Sequence, residues 1–235
     1  GLLDADIYGP SQALMLGVQG QRPETPDGKS SNPVIAHGIP VMSMAFLLTE
    51  RSPTIWRGPM VSGAFTQMLR QTNWGNLDYL VIDLPPGTGD IQLTLSQQVP
   101  VNGAVVVTTP QDIALLDARR GIEMFRRVEV PVLGVIENMS LHRCSKCGHT
   151  EHLFGEGGGD RIAAEYDTEL LGALPLDLSI REQTDIGKPT VISDPEGMIA
   201  QSYRDIARRT GARIALFAER NGSSSLITKT QGTDE

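Results

Sequence analysis

Along the 235 residues, short apolar runs bounded by turn residues alternate with stretches of helical periodicity. The runs are Leu2-Leu3, Tyr79 to Leu84, Ala104 to Thr108, Val132 to Ile136 and Leu170 to Leu174. They are continuous rather than alternating, the pattern of strands buried on both faces. Between them, Pro59 to Gln71 opens on a proline suited to a first helical turn and carries Met60, Ala64 and Met68 at helical spacing. Asp112 to Arg127 has an acidic first turn and a basic last turn, which complements a helix dipole. Pro195 to Ala218 predicts a long C-terminal helix. Strand and helix in alternation predict an α/β fold in three layers, with a mainly parallel sheet and helices on both faces. Gln21 to Pro33 is rich in Pro, Asp, Gly and Ser and predicts an exposed loop. The polar end, "NGSSSLITKTQGTDE", predicts a disordered tail. The expected division is one domain over 1–218 and a tail over 219–235.

Charge and cysteine usage narrow the function. The formal net charge of −8 argues against non-specific nucleic-acid binding, which needs a basic face. No run of about 18 apolar residues exists, so no membrane association by a spanning helix is expected. The first residues do not read as a signal peptide, and cytoplasm is the expected compartment. The chain begins Gly1-Leu2-Leu3-Asp4 without an initiator methionine, as expected of a fragment or a processed chain. Its only cysteines are Cys144 and Cys147. One CxxC in an acidic chain points to metal or redox chemistry rather than a secreted disulfide scaffold.

Four stretches could carry chemistry. In "LLDADIYGPS" an extended backbone would turn Asp4 and Asp6 to one side, where they could hold a metal-bound water and orient a second one. The alternative is that both merely cap the following turn. In "VIDLPPGTGD" Asp83 ends an apolar strand, as does an acid that reaches Mg²⁺ in nucleotide hydrolases. Gly87 lacks a Cβ and could bring its N–H close to a γ-phosphate. In "ENMS" Asn138 lies at the carboxyl end of a parallel strand, where α/β sheets bind ligands; the alternative is a turn asparagine. In "HRCSKCGHTEH" the two cysteines, with His142, His149 and His152, allow three readings. These are a zinc site within one chain, a dithiol redox pair, or half of a four-thiolate [4Fe–4S] site shared by two chains.

Other features carry less. "FGEGGGD" reads as the approach to a helix near Asp160 rather than an anion cradle, and Arg204, Arg208, Arg209 and Arg213 as a solvated helix face. The phosphate-loop pattern G-x-x-x-x-G-K-[ST] does not occur. Gly28-Lys29-Ser30 mimics its end, but position 23 is Pro23 and no strand precedes it; Gly187-Lys188 runs into Pro189. Both read as turns.

Taken in order, "LLDADIYGPS", "WRGPM", "DYLVIDLPPGTGDIQLTLSQ", "GAVVVTTPQDIAL", "VPVLGVIENMS", "CSKCGH" and "LLGALPLD" resemble the Mrp/ApbC family, from Gly1 to about Ala218. These are P-loop ATPases related to MinD and ParA that carry iron–sulfur clusters. The resemblance implies a P-loop NTPase fold and ATP with Mg²⁺ as nucleotide cofactor. It implies that Asp4 sits near the Mg²⁺ water shell, that Asp6 orients the attacking water, that Asp83 is the Walker B acid and Gly87 the switch II glycine. Asn138 and Pro175 would contact adenine. Cys144 and Cys147 would bind a [4Fe–4S] cluster bridging a homodimer, which exchanges it with scaffold or donor proteins and client apoproteins. In the family a strand, a "KGGVGKS/T" loop and its helix precede the segment like "LLDAD". Their absence here implies exposed apolar surface, marginal stability and impaired hydrolysis by the 235 residues alone. A MinD/ParA-type positioning ATPase and a non-enzymatic zinc module are the alternatives.

Overall fold

Leu3 has no exposed surface, and the strand that holds it, β1 (Leu2–Asp4), is the pivot of the N-terminal half. The computed structural model describes residues 1–47, 58–87, 99, 101–144 and 146–220. After β1 come a one-turn helix α1 (Gln12–Met15) and a hairpin of β2 (Val34–Ala36) and β3 (Ile39–Ser43). Helix α2 (Gly58–Arg70) and strand β4 (Val81–Asp83) follow. The four strands form one sheet in the order β2-β3-β1-β4. β1 is parallel to both neighbours, and Asp4 pairs in register with Ser43 on one side and Asp83 on the other. Phe65 and Met68 of α2 share a core with Leu3, Val41 and Met44.

The second half is a parallel sheet of β5 (Ala104–Thr108), β6 (Val132–Glu137) and β9 (Leu170–Ala173), in the order β5-β6-β9. Helix α3 (Asp112–Arg127) joins β5 to β6. The β7–β8 hairpin (His142–Arg143 and Thr150–Glu151) and helix α4 (Gly158–Glu165) lie between β6 and β9. Helices α5 (Leu178–Asp185), α6 (Thr190–Ser193) and α7 (Met198–Arg220) complete the chain as described. The strand pleat sets the layers. Val106 and Val135 point to one face and pack with Leu115 and Ile122 of α3 and Ile162 of α4. Val105 and Ile136 point to the other and pack with Ile206 and Tyr203 of α7. A sheet covered on both faces is the three-layer α/β architecture expected from the sequence.

Three differences from the sequence reading have physical causes. The β2–β3 hairpin turns through His37-Gly38 with positive φ at both residues, a turn that the short apolar stretches beside it do not announce. Burial on both faces holds for β6 but not for β4 or β5. Val81 and Val107 are each 60% exposed, and among the described residues each of these strands has only one strand neighbour. The arginines of α7 are not simply a solvated face. Arg213 donates from Nε to the Leu133 carbonyl at 2.9 Å and pairs with Glu169 at 2.7 Å. Arg209 donates to the Leu171 carbonyl at 3.3 Å. Both arginines therefore strap the helix to strand carbonyls. No helix among the described residues is long and apolar enough to cross a membrane. Glu219 and Arg220, expected to open the tail, are instead the last residues of α7, and the rest of the expected tail, 221–235, lies outside the described residues.

Candidate functional site

Parallel strands gather their carboxyl ends on one rim, and side chains there converge without further folding. At the rim of the first sheet Ser43, Asp4 and Asp83 stand side by side in register. Asp4 is fully buried, and its carboxylate has three donors. The Asp6 N–H reaches Oδ1 at 3.2 Å; Ser43 Oγ and the Gln12 N–H reach Oδ2 at 2.8 and 3.2 Å. Gln12 also donates from Nε2 to Asp83 Oδ2 at 2.7 Å, so one residue at the start of α1 ties both acids together, Asp4 through its backbone N–H and Asp83 through its side chain. Burial raises the Asp4 carboxyl above its ordinary 3.8; the hydrogen bonds from Ser43, Gln12 and Asp6 pull the other way without cancelling it, and the negative charge of Asp83 adds to the rise.

Asp6 behaves differently. β1 stops at Asp4, so strand alternation does not place Asp6 beside it. The Asp6 carboxylate instead accepts from the N–H groups of Tyr8 and Gly9 at 3.0 and 3.1 Å, closing a tight turn. Tyr8 and Gly9 are exposed, so this turn opens to solvent. The capping alternative for both acids is thus realised in the geometry, Asp4 holding the start of α1 and Asp6 its own turn. Gly87 lies four residues past Asp83 with φ of +95°, a conformation that favours glycine, and a Cβ there would meet nothing among the described residues. The rest of "GTGD" falls outside the described residues.

On the second sheet, Asn138 follows β6 and donates its N–H to the Thr108 carbonyl at the end of β5 at 2.7 Å; its Oδ1 accepts from the Met139 N–H at 3.0 Å. Pro175 follows β9, the neighbouring strand, so both residues sit at one rim. Beside them Glu137, almost wholly buried, accepts the Gly159 N–H at 2.6 Å. The protein's own carboxylate therefore fills the N-terminus of α4, and "FGEGGGD" is a helix approach rather than an anion cradle.

The cysteines sit on the β7–β8 hairpin. Cys144 donates its N–H to the His149 carbonyl at 2.8 Å, and its own carbonyl accepts the Gly148 N–H at 2.9 Å. Within this turn the N–H groups of Cys147 and Lys146 point at the Cys144 sulfur, joined by the Cys147 thiol. They hold the Cys144 thiol below its ordinary 9.0. Donors aimed at sulfur suit a thiolate that ligates metal. His142 and His152 turn their Nδ1 atoms to the carbonyls of Leu176 and Ser140, at 3.1 and 2.8 Å. Among the described residues no group of three or more His, Cys, Asp or Glu side chains is placed to hold a metal ion. The two thiols stand as a pair.

Sequence reasoning did not find Gln12, Ser43 or Glu137. Ser43 could have been found only with the strand register, and Glu137 only with the position of Gly159. Gln12 had a faint signal, a polar residue just after Pro10-Ser11 at a helix start. The rejected phosphate-loop mimic is a surface turn: Asp27 accepts from the Lys29 and Ser30 N–H groups at 2.9 and 2.7 Å and from Ser30 Oγ, which holds its carboxyl at about 2.

Residues 1–210 match the ParA family model described as the NUBPL iron-transfer P-loop NTPase. The chain is similar to the iron–sulfur cluster carrier protein of Pseudomonas fragi, 62% identical over 212 residues, covering 90% of this chain and 74% of that one. It is 58% identical over 214 residues to the iron–sulfur cluster carrier protein of Escherichia coli, covering 91% of this chain and 58% of the relative's length. Among solved structures it resembles a nucleotide-binding protein of Archaeoglobus fulgidus in complex with ADP, with a TM-score of 0.70, 36% identity and coverage of 84% and 76%. Rims, register and relatives agree, and the chain belongs to the ParA family of P-loop NTPases, in the iron-transfer group.

Proposed function

We propose that the protein is an ATP-dependent carrier that takes up a [4Fe–4S] cluster and delivers it to apoproteins in the cytoplasm. The observation that carries this reading is the turn at Cys144 and Cys147, with N–H donors trained on one sulfur and no third ligand nearby among the described residues. A four-iron cluster needs four thiolates, so one chain supplies half and a two-fold homodimer completes the set. The cluster is cargo, received from a scaffold or donor protein and released to client apoproteins. The names of the relatives from P. fragi and E. coli support the reading.

The carboxylate rim is the nucleotide side of the proposal. Asp83 and Asp4 offer the hard oxygens that a hydrated Mg²⁺ accepts. Asp6, half-buried in a turn that opens to solvent, would orient the attacking water; Gly87 would offer its N–H to a γ-phosphate, and Asn138 and Pro175 would meet adenine. Mg²⁺ with ATP would supply the phosphoryl group transferred to water. The 235 residues hold no phosphate-loop signature. Among the described residues β4 and β5 each have one strand neighbour and an exposed valine, which supports the reading that a further parallel strand carrying such a loop belongs at these edges. Hydrolysis is therefore expected to need that strand, and the 235-residue chain is expected to be inactive alone.

Anaerobic reconstitution with iron and sulfide tests the cargo. About two irons per chain, one four-iron cluster per dimer, are expected, with a broad visible absorption that Cys144→Ser removes. Full loading of Cys144→Ser, or one zinc per chain and no iron in anaerobically purified protein, would overturn it.

A further inference from the structure

We propose that His142 is a positioning residue that ties the cysteine turn to the strand end carrying Pro175, so that loading of the turn is felt at the proposed base site. The proposal rests on the carrier reading of Cys144 and Cys147.

Past the ends of β6 and β9 the two chain segments stay zipped together. Ser140 donates its N–H to the Leu174 carbonyl at 3.0 Å, and Leu176 donates its N–H to the Leu141 carbonyl at 2.8 Å. His142 then bridges in parallel to Leu176. Pro175 therefore lies inside a short ladder whose other rail runs straight into β7 and the cysteines. The His142 ring adds a side-chain rung, Nδ1 to the Leu176 carbonyl at 3.1 Å. A carbonyl only accepts, so Nδ1 carries the proton and the tautomer is fixed by the tether. On the far side of the hairpin the His152 Nδ1 meets the Ser140 carbonyl at 2.8 Å. Two imidazoles thus pin both strands at the base of a hairpin whose strands are two residues long and too short to hold a position alone.

The ladder also continues toward the carboxylate rim. Asp177 caps α5 by accepting the Ser179 N–H at 2.8 Å. The chain leaving α5 presses Gly187 onto Gly17 at the end of α1, so closely that a Cβ on Gly187 would lie 2.3 Å from the Gly17 Cα. The start of α1 is held by Asp4. Hairpin, residues 174–177, α5, α1 and Asp4 form an unbroken run of packed or bonded groups. A ligand that orders one end of such a run changes the freedom of the other.

Hydrogen exchange of the full chain, with and without anaerobic loading by ferrous iron and sulfide, tests the tether in wild type, His142→Phe and His142→Asn. Phenylalanine keeps a ring without an N–H; asparagine restores an N–H near the place of Nδ1. Loading should slow exchange of the Leu174, Leu176 and Ser179 amides by about fivefold in wild type and His142→Asn, the size of effect one net hydrogen bond gives. That difference should vanish in His142→Phe at unchanged iron content. A purely structural histidine would shift loaded and unloaded protein alike and leave the difference intact, which overturns the proposal. Iron bound to wild type with no change over these amides also overturns it, while leaving the carrier reading in place. Failure of wild type to bind iron overturns both.

Discussion

Ser43, Asp4 and Asp83 meet in one register at the ends of three paired strands, cross-linked through Gln12. Cys144 and Cys147 ride on an exposed turn between strands of two residues. The first arrangement is built before any ligand arrives: its acid is buried, fully bonded and costly to move. The second is held at its base and open at its tip. A group that must sense a small change of charge benefits from a fixed frame, because reorganisation would blunt the response. A group that must hand over cargo needs access from outside. The contrast is what a carrier with a nucleotide-driven switch would require, and it makes opposite forecasts for substitutions in the two places.

The largest effect should come from the open site. Replacing both cysteines, Cys144→Ser with Cys147→Ser, should reduce retained iron to background. The thermal midpoint should stay within about 1 °C, because side chains on a surface turn outside the core contribute little to stability. A fall of several degrees would show that the turn is part of the fold and weaken the contrast.

The buried frame should respond the other way round. Ser43→Ala removes the hydroxyl donor from a buried carboxylate and should lower unfolding free energy by about 1.5–3 kcal/mol, the range for a bond to a charged group. Glu137→Ala, which strips the acceptor from the Gly159 N–H, should cost about 1–3 kcal/mol. Urea unfolding reads both, as a lower midpoint at unchanged slope. Neither change touches the cysteine turn, so metal uptake should persist in the folded fraction.

How the two regions show in the sequence differs as well. The cysteine pair was legible as a pair, because CxxC spacing is local and the turn that binds it lies within the same residues. Asp4 and Asp83 were legible as strand-end acids, and the helix over Asp112 to Arg127 was read with the bounds it has. What stayed hidden depends on register. Ser43 becomes Asp4's partner only when β3 lies beside β1, thirty-nine residues away, and nothing in "VMSMAF" announces it. Gln12 was invisible as a bridge because its two bonds go to acids eight and seventy-one positions away. Exposed Val81 and Val107 could not be foreseen from apolar runs that look the same as the buried one in β6. Local pattern carries elements and short-range ligand pairs; cross-strand partners need the fold.

A smaller effect should appear in the pH dependence of stability. Burial raises the Asp4 carboxyl, so the folded state keeps a proton that the unfolded chain has already lost. Above the ordinary value of 3.8 the unfolded state binds fewer protons at this group, and stability falls as pH rises toward the raised folded value. Asp4→Asn has no such proton. Denaturant titrations across this range should show a downward slope in wild type that the variant lacks. Equal slopes would mean the acid is not held in a charge-averse frame.

The smallest effect concerns the open site before any metal binds. The Cys144 sulfur receives the N–H groups of Cys147 and Lys146 and the Cys147 thiol, and these donors favour the thiolate. Only the thiolate attacks an alkylating reagent. Metal-free protein should therefore label at Cys144 along a pH curve displaced below that of a free cysteine peptide, followed by mass spectrometry of the 142–151 segment. The donors are backbone groups of the turn, so Lys146→Ala should leave the curve where it is. Lys146→Pro removes one N–H and should move it toward the peptide. If alanine moves the curve as far as proline does, the lysine charge rather than the turn tunes the sulfur, and the open site owes its chemistry to a surface cation instead of its backbone.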